Sequence, residues 1–180
     1  MRIISGTRKG LRLKAPKGNG TRPVLDQVKE AIFNILPSPD DLLVLDLYAG
    51  TGALGIECLS RGAREAVFVE KNPVCARVLL ENLMISTFSQ SAHLITKPVT
   101  TACRLLRKKG RTFDWIFCDP PYDQDLLNPT LALSDFHSLT HPGTRLIIEH
   151  SARELPKEGL WKIVDQRHYG QTWISFLKLA

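Results

Sequence analysis

Two rhythms of apolar and polar residues alternate along this chain. Residues 42–46, 66–70, 92–96, 113–118 and 143–149 are short apolar runs rich in β-branched and aromatic residues, the pattern of buried strands. Between them the apolar spacing lengthens to three and four, which predicts helices over 53–60, 73–84 and about 99–109, with Pro73 at a favourable first-turn position. Residues 160–167 and 172–178 read as a closing pair of strands. Strands that alternate with helices predict a mostly parallel sheet covered on both faces. Upstream, Arg2-Ile3-Ile4-Ser5-Gly6 and Gly10-Leu11-Arg12-Leu13-Lys14-Ala15 flank Thr7-Arg8-Lys9, a hairpin pattern with its charges on one face. A Gly/Pro/Asn linker over 16–23 follows. Then comes a helix over 24–36, with Val28, Ala31, Ile32 and Ile35 at helical spacing and Pro37 and Pro39 ending it.

Size and composition narrow the class. The 180 residues suffice for one domain with a real core, expected as a basic extension over 1–22 and a main domain over 23–180. No apolar run approaches the length of a membrane span, and the N-terminus lacks the apolar core of a signal peptide. Cys58, Cys75, Cys103 and Cys118 lie in apolar contexts without paired spacing, so they read as buried reduced thiols of a cytoplasmic protein. His137 and His141 stand four apart, but without a third ligand they read as a polar helix end before Pro142-Gly143; no metal is expected. The net charge of +6 is unevenly spread: Arg2, Arg8, Lys9, Arg12, Lys14, Lys17 and Arg22 all precede the first acid, Asp26. A basic segment on a near-neutral domain points to a polyanion, most simply nucleic acid, whereas a plain solubilising arm would carry the same charge.

The candidate chemistry lies in two loops. Asp119-Pro120-Pro121-Tyr122 follows the run at 113–118, which places it at the carboxyl end of a strand, where open α/β sheets bind ligands. A carboxylate followed by two residues without a backbone N–H makes a loop of acceptors, suited to a substrate that offers hydrogens, such as an amine. Tyr122 adds a ring on which a base can stack. Gly50-Thr51-Gly52-Ala53-Leu54-Gly55 matches the dinucleotide fingerprint, and Glu70 ends the next strand where a ribose-binding acid belongs. Its placement favours a different ligand. Asp46 lies at the strand end with Leu47-Tyr48-Ala49 before the glycines, and a carboxylate there repels phosphate but suits a cation. S-adenosylmethionine, with an ammonium, a sulfonium and a ribose diol, fits better than a dinucleotide.

With Asp46-Leu47-Tyr48-Ala49-Gly50-Thr51-Gly52-Ala53-Leu54-Gly55, Glu70 and Asp119-Pro120-Pro121-Tyr122, the chain resembles the bacterial RsmD family, methyltransferases of guanine N2 in small-subunit ribosomal RNA. The likeness extends to Arg2-Ile3-Ile4-Ser5-Gly6, to Arg22-Pro23-Val24-Leu25-Asp26-Gln27-Val28-Lys29-Glu30, to Leu59-Ser60-Arg61-Gly62-Ala63 and to Tyr169-Gly170. The resemblance implies a Rossmann-like class I S-adenosylmethionine-dependent methyltransferase: a mostly parallel sheet with a closing antiparallel hairpin and an N-terminal β-hairpin extension. The implied catalytic residues are Asp119, Pro120, Pro121 and Tyr122. The donor site comprises Asp46, Tyr48, Ala49, Gly50, Thr51, Gly52, Glu70, Lys71 and Val99, with S-adenosylhomocysteine as the product. Ribosomal RNA or a small-subunit assembly particle is the implied partner, met by Arg8, Lys9, Arg12, Lys14 and Arg22. Two departures stand out: Val24 and Leu25 replace the family's usual hydroxyl residues, and Lys97-Pro98 stands where relatives often carry an acid for the adenine amino group. The adenine is therefore expected against the backbone near Val99. Two rival readings are an adenine-N6 DNA methyltransferase and a non-catalytic RNA-binding assembly factor.

Overall fold

The computed structural model describes residues 1–16, 26–122, 124–157 and 159–180. Most of the expected linker, together with Lys17, Arg22, Val24 and Leu25, lies outside the described residues. In chain order the elements are α1 (Asp26–Ile35), β1 (Leu43–Leu47), α2 (Ala53–Ser60), β2 (Glu65–Val69), α3 (Pro73–Ile85), β3 (Ala92–Ile95) and α4 (Val99–Lys108). They continue with β4 (Trp115–Cys118), α5 (Leu127–Leu131), α6 (Ser134–His137), β5 (Arg145–His150), β6 (Trp161–Tyr169) and β7 (Thr172–Leu179). The strands form one sheet in the order β3-β2-β1-β4-β5-β7-β6. The pairs β1–β2, β2–β3, β1–β4 and β4–β5 are parallel, while β7 runs antiparallel to both β5 and β6. The chain goes one way from β1 to β2 and returns to the other side of β1 as β4. That reversal opens a crevice at the carboxyl ends of β1 and β4, where such folds bind ligands.

Alternation along the strands builds two cores, one on each face. Val44, Phe68, Trp115, Phe117 and Ile147 pack beneath α1, α2 and α3, while Leu45, Leu47, Ile116, Leu146 and Ile148 pack beneath α4, α5 and α6. The expected strands and helices appear within about two residues of the predicted bounds, the accuracy with which element ends can be read. Two short helices, α5 and α6, were not predicted, because five and four residues are too few to show a period. The four cysteines are free and buried. His137 ends α6, whereas His141 lies beyond it with its Nε2 3.1 Å from Asp114 Oδ1, so the two do not share a helix. Among the described residues no helix is long and apolar enough to cross a membrane, and no cluster of metal-ligating side chains forms.

Residues 1–16 fold back on themselves, but around a 3-10 turn at Gly6–Arg8 and with Arg2–Arg12 as an isolated antiparallel bridge. Ile3 and Leu13 are buried in the same core as α1 and α2. Polar contacts fasten this arm. Glu57 of α2 accepts the backbone N–H groups of Ile4 (2.9 Å) and Ser5 (3.0 Å), Ser60 accepts that of Arg8 (3.0 Å), and Asn82 of α3 accepts that of Lys14 (2.8 Å). Gly6 is required here: at φ +80°, a Cβ on it would lie 1.7 Å from the Ser60 carbonyl oxygen.

Candidate active site

The parallel strands β1, β2, β4 and β5 each carry an acid at or just past the carboxyl end: Asp46, Glu70, Asp119 and Glu149. Asp46 is the most deeply buried, at 2% exposure. Its Oδ2 accepts the Gly55 N–H at 2.9 Å. Gly55 allows this approach, since a Cβ there would lie 2.3 Å from the Phe68 ring and 3.2 Å from that oxygen. Burial pushes the Asp46 carboxyl up to about 7; the Gly55 hydrogen bond opposes the rise and the charge of Glu70 adds to it. A carboxyl held this way gains most from an incoming cation, the ligand type expected from its position in the sequence.

Glu70 is set differently. Its Oε2 accepts the Gly50 N–H at 2.8 Å and its Oε1 accepts the Asn72 N–H at 2.6 Å. Asn72 in turn caps α3, accepting from Val74 N–H at 2.8 Å with Pro73 at the first helical position. The carboxylate is thereby locked between the glycine loop and the start of α3, and each oxygen keeps lone pairs for a diol. The loop itself is tight: Ala49 N–H reaches Val69 O at 3.0 Å and Gly52 N–H reaches Ala49 O at 2.7 Å. Tyr48 sits at φ +59°, rare for a side chain of its size, and its hydroxyl is held 2.7 Å from Thr130 Oγ1 of α5. The Thr51 carbonyl accepts Asn82 Nδ2 at 3.0 Å, so one asparagine joins the arm to the loop. Lys71 is exposed just past Glu70, and Val99 is buried at the start of α4 with Pro98 as its N-cap.

Across the crevice, Asp119 follows β4. No described residue donates a hydrogen bond to its carboxylate, and Pro120 and Pro121 have no N–H to offer. Burial holds the Asp119 carboxyl well above the usual carboxylate range, with the charges of Glu149 and then Asp46 adding to it. The Tyr122 hydroxyl donates to Glu149 Oε1 at 2.8 Å and lies 3.0 Å from Thr172 Oγ1. Glu149 and Thr172 were missed in the sequence. Glu149 had a signal, being the last residue of a fifth apolar run just as Asp46 and Glu70 close theirs, but Thr172 had none.

The turn of the arm that carries Arg8 lies at the other end of the sheet, whereas Lys14 lies nearer the glycine loop, sharing Asn82 with Thr51. α2 and α3 both run away from the crevice, and the 3-10 turn of the arm meets their far ends at Ser60 and Ser86. A helix the length of α3 separates the two ends by about 20 Å. Arg8 Nε donates to the Ser86 carbonyl at 3.0 Å and its guanidinium also bonds Thr87 Oγ1, so this arginine caps α3. Lys14 pairs with Glu81 at 2.8 Å on the surface, while Lys9 and Arg12 are exposed.

A parallel sheet closed by an antiparallel pair, with a glycine loop and acids at the carboxyl ends of its central strands, defines a Rossmann-like methyltransferase fold. The Escherichia coli protein yhhF, provisionally described as a methyltransferase, shares it with a TM-score of 0.85 and 30% identity, over 99% of this chain and 97% of that one. SMU.776, complexed with SAH, shares the fold at a TM-score of 0.70 and 14% identity, over 85% of this chain and 48% of that one. The particular family is also clear. The family described as Conserved hypothetical protein 95 matches residues 1–178. YlbH of Bacillus subtilis, provisionally named an rRNA methyltransferase, is 36% identical over 99% of this chain and 98% of its own length. The ribosomal RNA small subunit methyltransferase D of Escherichia coli is 37% identical over 74% of this chain and 66% of its own. The chain belongs to this family, the RsmD family that its sequence resembles.

Proposed function

We propose that the protein transfers a methyl group from S-adenosylmethionine to the exocyclic N2 amine of a guanine in small-subunit ribosomal RNA. One observation carries this reading: Asp119, at the mouth of the crevice, has no donor among the described residues and is followed by two prolines that cannot supply one. An amine with two hydrogens meets that need. The N2 amine is a weak nucleophile because its lone pair is delocalised into the ring. The Asp119 carboxylate and the Pro120 carbonyl, each accepting one hydrogen, would draw the nitrogen toward tetrahedral geometry and aim its lone pair across the crevice. Asp119 need not take a proton beforehand, since the amine becomes far more acidic once alkylated, and the carboxylate is then placed to receive it. The Tyr122 ring would stack on a base turned out of its RNA context.

The donor residues fit the same reading. S-adenosylmethionine, when bound, supplies an electrophilic methyl on a sulfonium. Asp46 would balance the positive methionine end, Glu70 would accept the ribose hydroxyls, and the backbone near Val99 would flank the adenine. Residues 1–22 would act as an RNA-facing extension of the transferase domain at 23–180, with the exposed Lys9 and Arg12 among its cations and Arg22 continuing the basic stretch.

Tritium transfer from the labelled donor to separate pools of small-subunit RNA, large-subunit RNA and DNA tests the proposal, with mass analysis of the labelled nucleoside. The expected product is N2-methylguanosine in the small-subunit pool. Asp119→Ala should lower turnover by at least about 10²–10³-fold with donor affinity unchanged. Label on DNA adenine, no label in any pool, or wild-type turnover by Asp119→Ala would overturn it.

A further inference from the structure

Glu149 has a feature that the methyl-transfer reading does not use. Its Oε1 accepts the Tyr122 hydroxyl, yet its Oε2 is shielded from solvent and has no hydrogen-bond partner among the described residues. Anchoring a tyrosine needs only one acceptor, and a glutamine would supply it without burying a charge. The sheet explains what the charge faces. β4 and β5 pair in parallel with Cys118 opposite Ile148, so one further step along the register sets Asp119 beside Glu149. Alternation turns both toward the face that also carries Asp46. The charged and titratable groups gathered there are Asp46 from β1 with Glu70 beside it, Asp119 after β4, Tyr122 and Glu149 itself; β7 contributes only Thr172.

We propose that Glu149 is a positioning residue of the transfer site, acting on Tyr122 through its hydrogen bond and on Asp119 through its charge. The hydrogen bond ties the loop after β4 to β5 and, through Thr172, to β7. With Tyr122 fixed at the far end, the Asp119 carboxylate and the Pro120 carbonyl keep one orientation toward the amine. The charge of Glu149 makes Asp119 hold a proton more readily when no amine is present, consistent with the elevated Asp119 carboxyl. The inference rests on the methyl-transfer reading, and the closing experiment separates the two.

Four variants decide it: Glu149→Ala, Glu149→Gln, Tyr122→Phe and the Glu149→Ala/Tyr122→Phe double. Glu149→Ala and Tyr122→Phe should each lower kcat about 10–100-fold, the scale of a misaligned reacting group, with RNA KM and donor Kd changed less than about threefold. The double variant should fall no lower than the worse single one, because both cut the same tether. Glu149→Gln should recover kcat to within about threefold at pH 8, and the acid limb of its pH profile should move to lower pH. The direction follows because Asp119 works as the carboxylate, and losing a neighbouring negative charge lowers its pKa. Losses that multiply in the double variant, a glutamine no better than alanine, or an unmoved acid limb would each overturn the proposal. Hydrogen exchange at the amides of Tyr122 and residues 124–127 gives a readout without activity, expected to quicken in Glu149→Ala and Tyr122→Phe but not in Glu149→Gln. If the wild type labels no RNA, the functional reading fails, while unchanged exchange in both variants sinks the tether alone.

Discussion

Two groups of carboxylates, one buried and one buried or half-buried, are treated in opposite ways in this molecule. Glu57, fully buried, accepts Ile4 N–H, Ser5 N–H and Arg61 Nε at 2.8–3.0 Å, and its Oε2 lies 3.1 Å from the equally buried Lys29 Nζ. Lys29 is further satisfied by donating to the Arg2 carbonyl at 2.6 Å. At the crevice, among the described residues, Asp46 has one backbone donor, Glu149 has one oxygen without a partner, and Asp119 has no donor at all. The first group is satisfied from within the chain, and the second is not. A satisfied buried carboxylate is a fastener. An unsatisfied one is a site, held ready for donors and cations that arrive with a ligand.

The comparison is broken most severely at Glu57. Glu57→Ala should cost about 3–5 kcal/mol in urea unfolding, because it strands a buried Lys29. Replacing both partners with Glu57→Leu and Lys29→Met removes the stranded charge, but the N–H groups of Ile4 and Ser5 still lose their acceptor. The pair should therefore recover only part of the loss, and a double variant as stable as wild type would show that the arm is not fastened there.

Removing a charge at the crevice should do the reverse. Asp46 takes up its proton near 7 in the folded chain and near 3.8 as a free side chain. A carboxyl raised on folding contributes stability that is complete below the lower value and is lost as pH climbs through about 7. At pH 8, Asp46→Asn should thus be more stable than the wild type, by up to about 4 kcal/mol, with the gain vanishing near pH 4. Donor affinity should fall sharply at the same time. Denaturant melts at the two pH values check the sign, and an equal difference at both would refute it.

The smallest effects concern the cations of the arm. Lys9→Gln and Arg12→Gln should each flatten the slope of log RNA affinity against log salt by about 0.7, if the contacted region is single-stranded. Melting should be unaffected. Arg8→Ala should instead cost about 1 kcal/mol of stability, because it removes a cap on α3 and not merely an exposed charge. A salt titration beside a thermal melt separates the two kinds of cation, and a wild-type slope for Lys9→Gln/Arg12→Gln would remove them from the RNA surface.

Much of the fold was legible because strand and helix periods are long enough to count, and because Asp46, Glu70 and Asp119 stand at the ends of obvious apolar runs. What stayed hidden has a common cause: a side chain satisfied by a partner far away in the sequence. Lys29 sits at a helical core position, and nothing local says that Glu57 will neutralise it there. Arg8 and Lys14 count as two positive charges in the sequence, but their contacts with Ser86 and Glu81 are 78 and 67 residues away. The face of the arm is exposed as expected, but two of its cations are engaged on it. Thr172 meets Tyr122 only because β7 folds back beside β5, a register that no local pattern specifies.

The fastening of the arm also fixes an order of events in time. Ile4 and Ser5 wait for a carboxylate 53 and 52 residues later, Lys14 for an asparagine 68 residues later, and Arg8 for a hydroxyl 79 residues later. During synthesis the arm leaves the ribosome before α2 and α3, but it cannot finish docking until Thr87 has emerged and both helices have formed. At about 5–20 residues per second, that is an interval of several seconds. Through those seconds Ile3 and Leu13 have no core to enter, and a run of uncompensated positive charge trails from the nascent chain. The arm is made before its partners and secured after them, so this half of the core closes by long-range contacts, the slow kind.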